Sequence, residues 1–417
     1  MTVSVPSRSD PTTSWRLVWL VVGGGIAAMI ATSPGQTAGV SAFIDPMVDG
    51  LGVSRSAVSL AYLVGTLCGA AALPLVGRAV DRFGALRSTL AVGVVYLVAI
   101  VGMSQVTGIV SLTVGFVLLR SMGQGSLGLI AVTVVSQRVP PARRGRALGV
   151  TSAGGGAGMA LAPLFFESVI RQVGWRSAWL VGAAVVVGLL VLVLAVTVGT
   201  RPRAAASTTD VEETADPFGE RSLDTSAAMR EPWFWVLALS VGLSGMLITA
   251  IVFHQFDLLG ERGLDPAQVA VSFIPNAVAA LLATLVAGQL VDLVAPRLLV
   301  AAGMVLHTVS FLLALVAAPG LMVIVYAVVI GSAGGFLRTV EAATLVRLFG
   351  PRHLGALRGI VSAVAVGGTA LGPVAYSLTH SATGGYTVAV VASALLPLGV
   401  AVWALLARMP AEDDAAV

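Results

Sequence analysis

The chain has 417 residues, 57% of them hydrophobic and 11% charged, with a mean hydropathy of +0.96. A soluble domain carries about 25% charged residues, so this composition excludes a soluble globular protein. The net charge of +4 rests on 24 basic residues that are all arginine, and these fall in short segments between apolar runs, which excludes a nucleic-acid surface as the reason for the basic balance.

A helix that crosses a bilayer needs about 20 apolar residues. Residues 1–14, MTVSVPSRSDPTTS, are polar and read as a tail. The apolar run that begins at Trp15 continues to about Ile44. That exceeds the roughly 7–15 apolar residues of a cleavable signal, so it is expected to stay as the first span. Further spans are expected at 56–77, 88–106, 108–137, 146–167 and 175–199, and then at 233–257, 266–291, 297–317, 320–346, 356–379 and 384–407. Between the two sets lies RPRAAASTTDVEETADPFGERSLDTSAAMRE, rich in Ser, Thr, Asp, Glu and Pro with little to bury, so 200–232 reads as a flexible linker. The expected architecture is an all-α membrane protein: twelve transmembrane helices in two six-helix bundles, 15–199 and 233–408, followed by a tail over 409–417.

Arginine placement sets the expected orientation. With both termini cytoplasmic, the inner segments hold 18 arginines and the outer loops only Arg55, Arg171, Arg176 and Arg262, which leaves Arg120 and Arg338 inside spans. Cytoplasmic segments carry the excess of arginine, so a multi-pass protein of the plasma membrane with both termini inside is expected. Cys68 is the only cysteine, and His254, His307, His353 and His380 are far apart in sequence. No intramolecular disulfide and no metal-ligand spacing is available, and no metal or cofactor is expected.

The halves repeat. PPARRGRALGVTSAGGGAGMALAP (140–163) laid on GPRHLGALRGIVSAVAVGGTALGP (350–373) pairs Gly145 with Gly355, Gly149 with Gly359, Ser152 with Ser362, Gly158 with Gly368 and Pro163 with Pro373. One loop earlier, GRAVD (77–81) corresponds to GQLVD (288–292). Internal symmetry of this kind belongs to transporters built from repeats around a central site.

GRAVDRFGALR between the second and third spans resembles the loop signature of the major facilitator superfamily, and LLRSMGQG in the fourth resembles its Arg…Gln-Gly element with one residue extra between Arg120 and Gln124. The resemblance covers essentially the whole chain. It implies two pseudo-symmetric six-helix bundles, alternating access, and a cavity lined mainly by spans 1, 4, 7 and 10. RRGRALGVTSAGGGAGMALAPL, GWRSAWLVG and REPWFW look like the monocarboxylate and oxalate/formate branch of that superfamily. The first span, SPGQTAGVSAF, lacks the acidic-Gly motif and lysine of animal monocarboxylate carriers, and the eighth has no Asp/Arg pair. The substrate chemistry of that branch is therefore not carried over.

Physical readings of these motifs give candidate residues. Gly77, Asp81, Arg82, Gly84 and Arg87, with Asp292 in the second half, are candidates for a cytoplasmic latch, Asp81 accepting from a helix N-terminus or pairing with arginine. The same arginines could serve topology alone. Gly154, Gly155, Gly156, Gly158 and Pro163, with Gly367, Gly368, Gly372 and Pro373 as counterparts, are read as packing and hinge elements. The fifth span also resembles an incomplete antiporter motif of drug exporters, with Ala162-Pro163 where Gly-Pro is expected, which keeps efflux open.

Arg338 lies nine residues from Arg347, about 13 Å into a core of roughly 30 Å. Glu341 lies three residues away, within pairing reach on the same face. A charge near the bilayer centre costs roughly 2.5–3.5 kcal/mol on insertion scales, so lipid exposure is excluded and a polar cavity or mutual pairing must offset it. Arg120, Gln124 and Arg338, with Gln36, Thr37 and His254, are the candidate substrate contacts, since arginine forks bind carboxylates bidentately. Glu341 is the candidate proton carrier. The alternative is a structural Arg338–Glu341 pair. No catalytic constellation, no sizeable soluble domain and no GxxxxGK[ST] loop is present. A carrier of a small organic anion, coupled to protons and working as a monomer in the bilayer, is the leading expectation. Efflux of a drug-like solute is the alternative, and a membrane-embedded sensor or enzyme the least supported reading.

Overall fold

Apolar runs of this length have no water to satisfy their backbone in a bilayer, and helices close every bond within the segment. The computed structural model describes residues 15–200, 223–350 and 353–409, without the side chains of Gly77, Asp81, Ala85, Gly125, Pro141 and Ala142. The tail over 1–14, most of the linker and residues 410–417 lie outside the described residues, as do the surroundings of the expected latch residues Gly77 and Asp81. Among the described residues the regular elements are helical throughout.

The first half contains α1 (Trp15–Ala31), a 3₁₀ turn at Ser33–Gly35, α2 (Thr37–Leu51), α3 (Arg55–Ser104) and α4 (Ile109–Leu119). A π-helical segment at Arg120–Leu127, α5 (Gly128–Arg138), α6 (Pro141–Ala160) and α7 (Ala162–Gly199) follow. The second half contains α8 (Thr225–Ala228), α9 (Pro232–Phe253), α10 (Gln255–Gly260), α11 (Pro266–Leu290), α12 (Pro296–Leu315), α13 (Leu321–Phe349), α14 (Leu354–Thr383) and α15 (Thr387–Leu406).

Eleven stretches are long and apolar enough to cross a membrane. The longest, Arg143–Gly199, has 57 residues, about 85 Å at 1.5 Å per residue, more than twice a bilayer core. It turns back at Gly174 (φ 77°, ψ 160°), a left-handed conformation suited to glycine. Phe166 before the turn consequently lies against Gly182 after it. The stretch has room for two crossings, so the count of eleven stretches leaves the expected number of twelve spans open by one. Gly84 (φ 79°, ψ 162°) makes the equivalent turn inside α3.

Two boundaries differ from the sequence reading for clear reasons. The first span breaks at Ser33–Gly35, where Pro34 has no N–H to continue the ladder, and the Thr32 and Ser33 hydroxyls donate to Met29 O and Ile30 O (both 2.6 Å). In the fourth span the extra residue between Arg120 and Gln124 falls inside the π-helical segment, whose wider turns absorb one residue without shifting the register beyond it.

Each half has its own apolar core, the first built mainly from residues of α2 to α7, the second from α9 to α15. The repeated glycines act alike in both halves. A Cβ on Gly154, Gly155 or Gly158 would run into Ile26, Met29 or Ile30 of α1, and one on Gly368 or Gly372 would run into the backbone of α9 at Gly242 or Met246. Close approach through small residues is a main source of helix association in membranes. Gly156 and Gly367 have nothing within 4 Å of that position and take no part in the contact.

Candidate functional site

The break in the first span creates the polar centre of the first half. It frees backbone groups that hydrocarbon cannot satisfy, and two side chains from other helices meet them. Tyr96 Oη accepts from Gly35 N (3.0 Å) and donates to Thr32 O (3.1 Å). Arg120 Nη1 donates to Gly35 O (3.1 Å) and its Nε to Thr66 Oγ1 (3.1 Å). The Arg120 guanidinium also lies over the Tyr62 ring, 4.3 Å from its centroid, and such a desolvated stack contributes about 2 kcal/mol. Arg120 is 1% exposed and its Nη2 has no partner. The structure therefore holds this residue as a clamp on the broken helix, behind Tyr62, with one donor to spare.

Around it, Thr37 Oγ1 and Tyr62 Oη are hydrogen-bonded (2.6 Å), and Gln36 Nε2 donates to Thr32 Oγ1 (3.0 Å). Gln36, Thr37 and Gln124 are half-buried. His254 is buried elsewhere, in the second half. Its Nε2 donates to Pro373 O (2.9 Å) inside α14.

The second half carries Arg338 and Glu341 on α13. Their spacing allows a pair, yet no ion pair joins them. Arg338 Nε donates to Gly334 O (3.2 Å), its side chain is exposed, and no acid among the described residues bridges it. Glu341 is half-buried and lies within electrostatic reach of Arg358 on α14. Packing fixes where Arg338 points. Gly334 faces Ile248 of α9, and Gly331 and Gly335 face Asn276 and Ala280 of α11. At about 100° per residue, Arg338 projects within about 40° of Gly334 and 20° of Gly331, toward α9 and α11. Both of those helices also touch the first half, and Arg338 projects on the side of α13 that faces them.

The remaining candidates are spread along the chain. Arg82 and Arg87 are exposed beside the Gly84 turn, and Asp292 is exposed at the end of α11 with no ion pair to a described residue. Pro163 and Pro373 are buried, at the start of α7 and within α14.

Sequence reasoning missed the closure of the face opposite the arginine-rich segments. Arg55, at the start of α3, bonds Asp45 of α2 (2.7 Å) and reaches Asp257 of α10 in the other half (3.2 Å). Tyr386 Oη donates to Asp257 Oδ2 (2.7 Å) and lies 3.2 Å from His254 Nδ1. Ser56 meets Ser377 O and Ser381 Oγ, and Tyr62 packs edge-on against Phe253, 4.6 Å between centroids. Among the described residues, every hydrogen bond, ion pair and ring contact between the halves lies toward this face. The signal was present: Arg55 is one of only four arginines on the arginine-poor side.

Comparisons with known proteins agree with this architecture. The family model of the Major Facilitator Superfamily matches residues 25–275 and 248–416. The chain is 26% identical over 211 residues, 50% of its length, to the oxalate:formate antiporter of Oxalobacter formigenes. It is also 26% identical over 210 residues, 49% of its length, to the tetracenomycin C resistance and export protein of Streptomyces glaucescens. These alignments span 48% and 38% of those relatives' lengths. Among solved structures, a bacterial homolog of the human lysosomal transporter Spinster, inward-facing and unoccupied, superposes with a TM-score of 0.67 at 17% identity, covering 96% of both chains. A point mutant of the nucleoside transporter NupG superposes with a TM-score of 0.70 at 14% identity, covering 93% of this chain and 98% of that one.

Proposed function

This chain belongs to the major facilitator superfamily, and we propose that it is a proton-coupled carrier of a small organic anion, acting as a monomer in the plasma membrane with both termini cytoplasmic. The observation that carries the reading is Arg338: an accessible arginine deep in a span, with no ion pair to an acid among the described residues. A cation placed there at the cost of desolvation is a site for an anionic partner by default, and its fork suits a carboxylate. Glu341, one helical turn away and with no ion pair to Arg338, is the proton carrier in this reading. In that orientation the contacts that join the halves lie on the outer side. The half-length likeness to an oxalate:formate antiporter supports an anionic substrate, with exchange rather than symport as the mode to be separated. The equal identity to an export protein supports efflux as the second reading.

The test is uptake by purified protein in liposomes under an imposed proton gradient, with labelled monocarboxylates and dicarboxylates. Accumulation of one anion, lost in Arg338→Gln while folding is retained, is the expected result. Export of neutral or cationic compounds with no anion moved, or full anion uptake by Arg338→Gln, overturns the reading.

A further inference from the structure

α1 and α6 run parallel and in contact. Ile26, Met29 and Ile30 of α1 lie against Gly154, Gly155 and Gly158 of α6, so the contact climbs both helices in the same direction. Eleven residues before Ile26 stands Trp15, and eleven before Gly154 stands Arg143. There the row ends, with the Arg143 guanidinium over the Trp15 ring, 4.1 Å from its centroid. Each of these two residues is also the first of a membrane-length apolar stretch. The stack therefore marks the level at which both helices leave the hydrocarbon, where tryptophan and arginine settle by preference.

One flank of this helix pair is open. At about 100° per residue, Trp19, Arg16 and Leu20 are turned about 20°, 80° and 120° forward of Ile26 on α1. On α6, Arg143, Val150 and Arg146 are turned about 20°, 40° and 80° backward of Gly154. In parallel helices that touch, opposite rotations lead to the same flank. Arg16 and Arg146 are exposed there, as are Trp19 (55%), Leu20 (55%) and Val150 (41%). The charge on it is of one sign. No Asp or Glu occurs in 11–44 or 82–166, which hold α1, α4, α5 and α6. None of Arg16, Arg143 and Arg146 has an ion pair with a described residue.

We infer that this flank binds an anionic phospholipid, Arg16, Arg143 and Arg146 holding its phosphate and Trp19, Leu20 and Val150 taking the start of its acyl chains. Trp19 and Leu20 lie one turn deeper than Trp15 and Arg16, and Val150 one turn deeper than Arg146. Charge followed by apolar surface is the order a lipid presents along the membrane normal. Arginine forks bond phosphate oxygens bidentately. A zwitterionic lipid brings an ammonium beside its phosphate and finds no acid here to meet it. Membrane orientation needs only a number of arginines at one end of the spans, not their convergence beside exposed tryptophan on one flank. The site is built from the first half alone and does not depend on the proposed substrate.

The experiment places a dansyl label at Val150→Cys on a Cys68→Ser background of the full chain, in phosphatidylcholine vesicles. These contain, at equal mole fraction, phosphatidylglycerol or phosphatidylcholine with a nitroxide quencher on its acyl chain. Phosphatidylglycerol should associate at least about tenfold more strongly than phosphatidylcholine. Arg16→Gln and Arg146→Gln should each reduce that preference about fivefold, and the double variant should abolish it. Both side chains are exposed, so folding is not at stake. Arg297→Gln, exposed at the start of α12 in the second half, should leave the preference unchanged. Equal quenching by the two lipids overturns the inference. So does a loss in Arg297→Gln as large as in Arg146→Gln, which would make the attraction a diffuse field rather than a site.

Discussion

Arg55→Gln should open the arginine-poor face. Arg55 has two arms, one to Asp45 within its own half at 2.7 Å and one to Asp257 in the other half at 3.2 Å. Only the second biases the equilibrium between closed and open, because the first survives when the halves part. The side chains are 16%, 35% and 27% exposed, in the order Arg55, Asp45, Asp257. That places the cross-half arm between an exposed pair of about 0–1 kcal/mol and a buried pair whose rupture costs about 3–5 kcal/mol. A value of roughly 1.5–2 kcal/mol follows, which includes the repulsion left between two unshielded carboxylates across the seam. At about 1.4 kcal/mol per factor of ten, the open population rises roughly 10- to 30-fold. Thr107 and Ala382 are exposed on that face in opposite halves. Spin labels at Thr107→Cys and Ala382→Cys on a Cys68→Ser background report its opening by double electron–electron resonance. The longer distance should gain population in Arg55→Gln and barely change in Asp45→Asn. An unchanged distribution in Arg55→Gln, or equal effects of the two substitutions, refutes the assignment of the latch to the Arg55–Asp257 arm.

Gly368→Ala or Gly372→Ala forces a methyl into the backbone of α9 and should cost about 1–3 kcal/mol or more, seen as a lowered thermal midpoint. Gly156→Ala, with open space at that position, should stay within about 0.5 kcal/mol of the parent. Arg120→Gln should lower thermal stability as well as transport, because Gly35 O loses its donor and Tyr62 its stacked cation. A stable but inactive variant would instead make Arg120 a substrate contact only. Glu341→Gln should leave anion exchange intact and abolish accumulation driven by the proton gradient. Retained gradient-driven accumulation removes the proton role from that residue.

The apolar spans, and the packing glycines apart from Gly156 and Gly367, were legible in the sequence alone. Hydropathy is a property of each residue and its neighbours in the chain, and a glycine shared by both halves at one register needs no partner to be noticed. It also carried the anomaly of Arg338 and Glu341 in an apolar run. What it could not decide was the fate of those charges. Three-residue spacing allows a pair, but the packing of Gly331, Gly334 and Gly335 sets the side of α13 with Arg338 toward α9 and α11, while Glu341 falls within reach of Arg358. Arg120 looked like an open contact and is instead held mainly by a five-residue helix break, because the freed Gly35 carbonyl comes from a segment 85 residues away. The latch between Arg55 and Asp257 joins residues 202 apart. Such contacts exist only once the two bundles are brought together on one face, and no local pattern in the chain encodes which face that is.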